Sequence, residues 1–193
     1  PRVRIYNNYF ENIWNYPVYG DIRGDGFESF QIFNNIFYGN PSQNISIGCG
    51  GVASSIDDIT IFNNTIVNGG TGVSLGQGFP GCAVTNSHVV NNLFYNTPTP
   101  TNIISGPTVS NNTDGGTSEI IFVNPISDFH LQAGSTAAIN QGISPSYITS
   151  ITTRDRDGKV RSPGSTWTIG AFEFSSTTGI LAPPPPNRLT ITN

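Results

Sequence analysis

The chain has 193 residues and a formal charge of −4, with 8 Lys and Arg against 12 Asp and Glu. That length suits one domain with a real core, and so few cations offer no basic face for a run of phosphates, which excludes nucleic acid as an expected partner. At 36% the hydrophobic content is too high for a disordered chain, and it never gathers into a membrane-spanning run. The 22 Gly, the 14 Pro and a heavy Asn load point to a turn-rich all-β protein, because these residues supply the left-handed and kinked backbone of tight corners.

No Met, basic stretch or apolar leader precedes the opening strand pattern Val3-Arg4-Ile5-Tyr6, so the chain reads as processed or as a fragment. That strand belongs to the clearest signal in the sequence, an Asn-Asn pair inside a β-branched and aromatic run. The copies are Val3-Arg4-Ile5-Tyr6-Asn7-Asn8-Tyr9-Phe10, Phe30-Gln31-Ile32-Phe33-Asn34-Asn35-Ile36-Phe37, Ile59-Thr60-Ile61-Phe62-Asn63-Asn64-Thr65-Ile66, Ser87-His88-Val89-Val90-Asn91-Asn92-Leu93-Phe94 and the degenerate Pro107-Thr108-Val109-Ser110-Asn111-Asn112-Thr113-Asp114. The pairs start 27, 29, 28 and 20 residues apart, too short a period for propeller blades and without the helical half of a leucine-rich repeat. A weaker repeat lies between them: Gly20-Asp21-Ile22-Arg23-Gly24, Asn44-Ile45-Ser46-Ile47-Gly48 and Thr71-Gly72-Val73-Ser74-Leu75-Gly76. Each period therefore carries at least two short strands with Gly-rich corners. The expected fold is an all-β right-handed parallel β-helix of about five coils, in which equivalent residues stack about 4.8 Å apart.

Stacking gives each column a role. Ile5, Ile32, Ile61, Val89 and Val109 are expected to face inward, as are Phe10, Phe37, Ile66 and Phe94 after the corner. The second Asn of each pair (Asn8, Asn35, Asn64, Asn92 and Asn112) is expected to adopt the left-handed conformation and to bond its amide to the copies above and below, forming an asparagine ladder. Asn44-Ile45-Ser46, Asn63-Asn64-Thr65 and Asn111-Asn112-Thr113 match the glycosylation sequon, but the last two lie in the ladder corner and read as structural. Cys49 and Cys82 sit in Gly-rich stretches with no metal-ligand spacing around them. A disulfide between neighbouring loops is preferred over two free thiols, since this Lys-poor, loop-rich chain looks secreted.

Beyond residue 115 the repeat gives way to Ile120-Ile121-Phe122-Val123-Asn124-Pro125, Asp128-Phe129-His130-Leu131-Gln132, Ala138-Ile139-Asn140-Gln141-Gly142, Asp155-Arg156-Asp157-Gly158 and Ile169-Gly170-Ala171-Phe172-Glu173. Residues 120–174 resemble the closing segment of secreted bacterial right-handed β-helix proteins of the pectate-lyase-like superfamily. There are departures: Thr136-Ala137 stands where that family usually has one Pro, and Thr168 where it usually has Asp. The expected organisation is coils with the Asn ladder over 1–119, a final coil and closing segment over 120–175, and a Pro-rich linker or tail over 176–193 leading to neighbouring domains of a larger parent. His130 matches a family position at the end of the coil. The resemblance implies a secreted or cell-surface location and no single function, because its members include polysaccharide lyases, glycoside hydrolases and adhesins.

Site residues are read from the outward columns. Arg4, Gln31, Thr60 and His88 form a hydrogen-bonding row beside an apolar row of Tyr6, Phe33, Phe62 and Val90, which together suit a linear polysaccharide. The competing reading is that the closing segment, or a missing domain, lies over this stripe and buries it. For catalysis the family's lyases commonly use Lys or Arg with Ca²⁺ held by carboxylates, and no such set is legible here. A hydrolase needs two carboxylates, for which Asp57 and Asp58 are the best, though weak, candidates. Asp155 and Asp157 resemble part of a calcium loop whose later carboxylates are missing, and pairing with neighbouring Arg is the stronger reading. Two functions stand open: a module that binds, and in its parent helps degrade, a polysaccharide, or a structural or adhesive module of a bacterial surface protein or fibre.

Overall fold

The computed structural model describes residues 3–23, 28–51, 55–78, 80–148, 154–162 and 164–175. The expected linker at 176–193 lies outside them. The first coil holds β1 (Val3–Tyr6), β2 (Tyr9–Glu11) and β3 (Val18–Ile22), and the second holds β4 (Glu28–Phe33), β5 (Ile36–Tyr38) and β6 (Gln43–Cys49). The third comprises β7 (Ser55–Phe62), β8 (Thr65–Val67) and β9 (Thr71–Gly78). After the short β10 (Ala83–Thr85) come β11 (His88–Val90), β12 (Leu93–Tyr95) and β13 (Thr99–Ile103), and β14 (Thr108–Ser110) closes the series. An antiparallel hairpin of β15 (Phe122–Asn124) and β16 (Asp128–Leu131) belongs to the closing segment.

Equivalent strands pair in parallel into three sheets, ordered β1-β4-β7-β11-β14, β2-β5-β8-β12 and β3-β6-β9-β13. The protein is thus an all-β parallel β-solenoid. Its register follows the sequence repeat, with Ile5 opposite Ile32, Ile32 opposite Ile61, Ile61 opposite Val89 and Val89 opposite Val109. The coil count is smaller than the five expected: three turns lead from β1 to β11, and a shorter one reaches β14, the fifth strand of one sheet alone. No helix among the described residues is long and apolar enough to cross a membrane.

The core is built as the columns demand. Ile32, Ile61, Val89, Phe37, Ile66 and Phe94 are fully buried, and each contributes roughly 2 kcal/mol on leaving water. Ile5 and Phe10 are only partly buried in the first coil. Val109 departs from expectation and is 45% exposed, because among the described residues no strand pairs beyond β14 to cover it. The core is joined to the following loop by a disulfide from Cys49, at the end of β6, to Cys82.

At each corner the two Asn divide the work, though not as expected. The left-handed residue is the first of each pair: Asn7, Asn34, Asn63, Asn91 and Asn111 have φ between 49° and 56°. The second Asn keeps an ordinary backbone and makes the ladder. Asn8 donates its backbone N–H and its Nδ2 to Oδ1 of Asn35 at 3.0 and 3.1 Å, and Asn35 does the same to Asn64 at 3.1 and 2.9 Å. Asn64 donates likewise to Asn92, and Asn92 to Asn112. The physical reason is geometric: bending the chain at the first Asn leaves the second free to align its amide with the solenoid axis.

Candidate functional site

Strand alternation does put Tyr6, Phe33 and Phe62 in one outward row. Their rings stack, with centroids 5.0 Å apart for Tyr6–Phe33 and 4.9 Å for Phe33–Phe62. In the adjoining row Arg4 Nε donates to Gln31 Oε1 at 2.9 Å, and His88 stands in register with Thr60. The row is not open to a ligand. Phe33 and Phe62 are each 1% exposed and Val90 0%, packed with Ile148 in a small apolar cluster of their own. Gln31 is buried as well, and the His88 imidazole lies flat on the Tyr147 ring at 3.8 Å, where burial lowers its pKa. Phe33, Phe62 and Gln31 therefore cannot serve as an exposed sugar platform. Tyr6, in the first coil, is the one ring of the row that remains exposed, at 42%.

The cover is the closing segment, held by a device that sequence reading missed. The first Asn of the last four pairs turns its amide outward and grips the backbone of this segment. Asn34 Nδ2 donates to the Arg154 carbonyl at 2.8 Å, Asn63 Nδ2 to the carbonyls of Thr168 and Gly170 at 3.0 and 3.1 Å, and Asn111 Nδ2 to that of Gln141 at 2.9 Å. Asn91 uses both ends of its amide, donating to Ile143 O at 2.8 Å and accepting from Ile143 N at 3.0 Å. The approach is so close at Gly170, with φ of +101°, that a Cβ there would meet Thr65 Oγ1 at 2.8 Å. A second apolar layer forms where Ile36, Val67 and Leu93, outside the β5-β8-β12 sheet, pack on Phe122, Phe129, Leu131 and Ile169. The unexpectedly apolar outward columns were the available signal, since contiguous rows of Phe and Val on an outer face call for a cover.

The acidic candidates are occupied by structural bonds. Asp57 accepts from Thr85 Oγ1 at 2.6 Å and Asn86 Nδ2 at 2.9 Å, and these bonds hold its carboxyl below the usual range, the wrong direction for a general acid. Asp58 follows it with a positive φ of 54°. Asp155 is buried and its carboxylate accepts the backbone N–H groups of Asp157, Lys159 and Glu173 at 2.9, 2.7 and 2.7 Å. Asp157 instead faces His130 Nε2 at 2.7 Å, so the two carboxylates are not brought together as cation ligands. No group of three or more His, Cys, Asp or Glu is placed to hold a metal among the described residues. Of the sequon asparagines, Asn44 and Asn63 are fully buried.

Further exposed rings lie outside the stripe, in the first coil. Trp14 is 83% exposed, and Tyr16 and Tyr19 sit together with ring centroids 5.1 Å apart. Asp21 and Arg23 pair beside them at 2.7 Å. Comparison with protein-family models, with curated proteins and with solved structures gives no match for this chain.

Proposed function

We propose that this chain is a structural module of a secreted or cell-surface bacterial assembly, a right-handed coil of the pectate-lyase-like kind used as a scaffold without catalysis. The observation that carries this reading is the covered stripe: the surface best suited to a polymer is occupied by the protein's own closing segment, anchored through four asparagines and Ile148. The Cys49–Cys82 bond supports an oxidising, extracellular setting. The exposed rings of the first coil supply a surface for neighbouring segments of such an assembly.

A second reading keeps polysaccharide binding but moves it to Trp14, Tyr16 and Tyr19, whose exposure suits stacking on pyranose C–H faces. A glycan array run with the unmodified chain and with Trp14→Ala/Tyr16→Ala/Tyr19→Ala separates the two. The scaffold reading expects no glycan retained by the unmodified chain. Retention of a linear polysaccharide that the triple variant loses, with its melting curve unchanged, would establish the second reading instead.

A further inference from the structure

The edge strand β14 has backbone groups to spare. The chain runs on from it into the closing segment, so no terminus creates this edge. Thr108 N donates to Ser87 O and Ser110 O accepts from Asn91 N, which turns both residues toward β11 and leaves the Val109 N–H and C=O pointing the other way. The N–H of Asn111 is in the same position. Its counterparts Asn63 and Asn91 donate to Val90 O and Ser110 O of the following strand, and Asn111 has no following strand among the described residues. The apolar column stops at the same place, with Val109 45% exposed above a Val89 that is fully buried. An open groove of about 400 Å³ runs along this edge past Val109, Ser110 and Asn111.

The chain carries a segment patterned for that edge. Leu189-Thr190-Ile191-Thr192-Asn193 repeats the third rung, Ile59-Thr60-Ile61-Phe62-Asn63, with Thr, Ile and Asn in the same places and Leu for Ile. Its alternation gives one apolar and one polar face, as in a solenoid strand. Laid parallel over Pro107–Asn111, the segment sets Ile191 on Val109, Thr190 and Thr192 over Thr108 and Ser110, and Asn193 over Asn111. The connection is long enough within one chain. Residues 176–188 reach about 40 Å when extended, and the five strands of the sheet with one more step take about 24 Å.

We infer that residues 189–193 of this chain form a further parallel rung on β14, with Leu189 and Ile191 turned inward. Val109 N–H then donates to Thr190 O, Asn111 N–H to Thr192 O and Thr190 N–H to Pro107 O, as their counterparts do one rung earlier. The rung buries the end of the apolar column and occupies edge groups on which a foreign strand would otherwise add. It goes beyond the scaffold reading and does not rest on it.

Amide exchange followed by NMR compares the full chain with the chain lacking residues 187–193 and with the full chain carrying Ile191→Lys. Val109 and Asn111 are expected to exchange at least tenfold more slowly in the full chain than in either variant, while Thr190→Ser keeps the protection. Equal exchange of Val109 and Asn111 in the full chain and both variants overturns the inference. A nitroxide on Thr192→Cys gives a second reading that needs no truncation, because Cys49 and Cys82 are bonded to each other and leave the introduced thiol as the label's target. It is expected to broaden the amide signals of Val109 and Ser110 in its own chain. No broadening at β14 overturns the inference. So does broadening in an unlabelled isotope-enriched chain mixed with the nitroxide-bearing one, since the occupant is then the segment of a second copy.

Discussion

His130 is held from both sides, with Nδ1 2.5 Å from Asp128 Oδ1 and Nε2 2.7 Å from Asp157 Oδ2, while its ring packs on Phe172 at 4.0 Å. The hydrogen bond to Asp157, helped by Asp128 and opposed by burial, raises its pKa from 6.5 to about 9. A folded-state pKa above the unfolded value means that the stabilisation is complete below pH 6.5 and disappears as pH rises through 9. Because the side chain is one-third exposed, solvent screening reduces the effect to about 1–2 kcal/mol. Thermal melts of the protein and of His130→Gln should therefore differ most at pH 5.5–6.5 and converge above the folded pKa. A constant gap across that range would show that the two carboxylates do not hold a protonated imidazole. The same residue ties the β16 strand to the Asp155–Gly158 turn, which gives the end-of-coil position read from sequence a concrete role.

The two asparagines of each corner differ in what their loss should cost. Asn64 donates to Asn92 Oδ1, Ile32 O and Phe62 O and accepts from Asn35, all within the buried corner. Replacing it by Ala strands several of these groups and should cost about 3 kcal/mol. Asn63 has a φ of 50° that glycine adopts freely, so Asn63→Gly keeps the bend and loses the grip on Thr168 and Gly170 together with the long 3.3 Å bond that Asn91 Nδ2 donates to Asn63 Oδ1, about 1–2 kcal/mol. Urea unfolding of the two variants checks this order, and a larger loss for Asn63→Gly would reverse the assignment. Strand positions, register and the ladder were legible in the sequence because stacking forces each rung to repeat its neighbours. The left-handed residue was assigned to the wrong Asn because spacing shows that a pair bends the chain but not which member does so. The roof over Phe33 and Phe62 was harder to read. Ile148 and Tyr147 belong to a segment without a repeat, and their contacts lie more than fifty residues away in sequence.

As a whole the molecule is a solenoid with two coats. Inward columns form the long core, while the outer faces of two sheets are covered by a segment that runs back along them. The covering is continuous with the ladder: Gly170 N donates to Asn91 O at 2.9 Å, Ala171 N to Thr65 Oγ1 at 2.9 Å, and Arg161, buried beside Trp167, donates to the carbonyls of Thr168 and Gly170. Breaking any of these exposes Phe, Ile and Val rows together, so coils and closing segment should open as one unit. The measurement that bears most directly on this is amide hydrogen exchange by mass spectrometry under native conditions, comparing residues 138–148 and 167–173 with β7, β8 and β11. The account predicts that the hydrogen-bonded amides of Ile148, Ile169 and Gly170 exchange within about tenfold of those in the central strands. Exchange in the closing segment a hundredfold faster, with the coils still protected, would mean that the stripe of Tyr6, Phe33 and Phe62 opens to solvent on its own, and would contradict the scaffold reading.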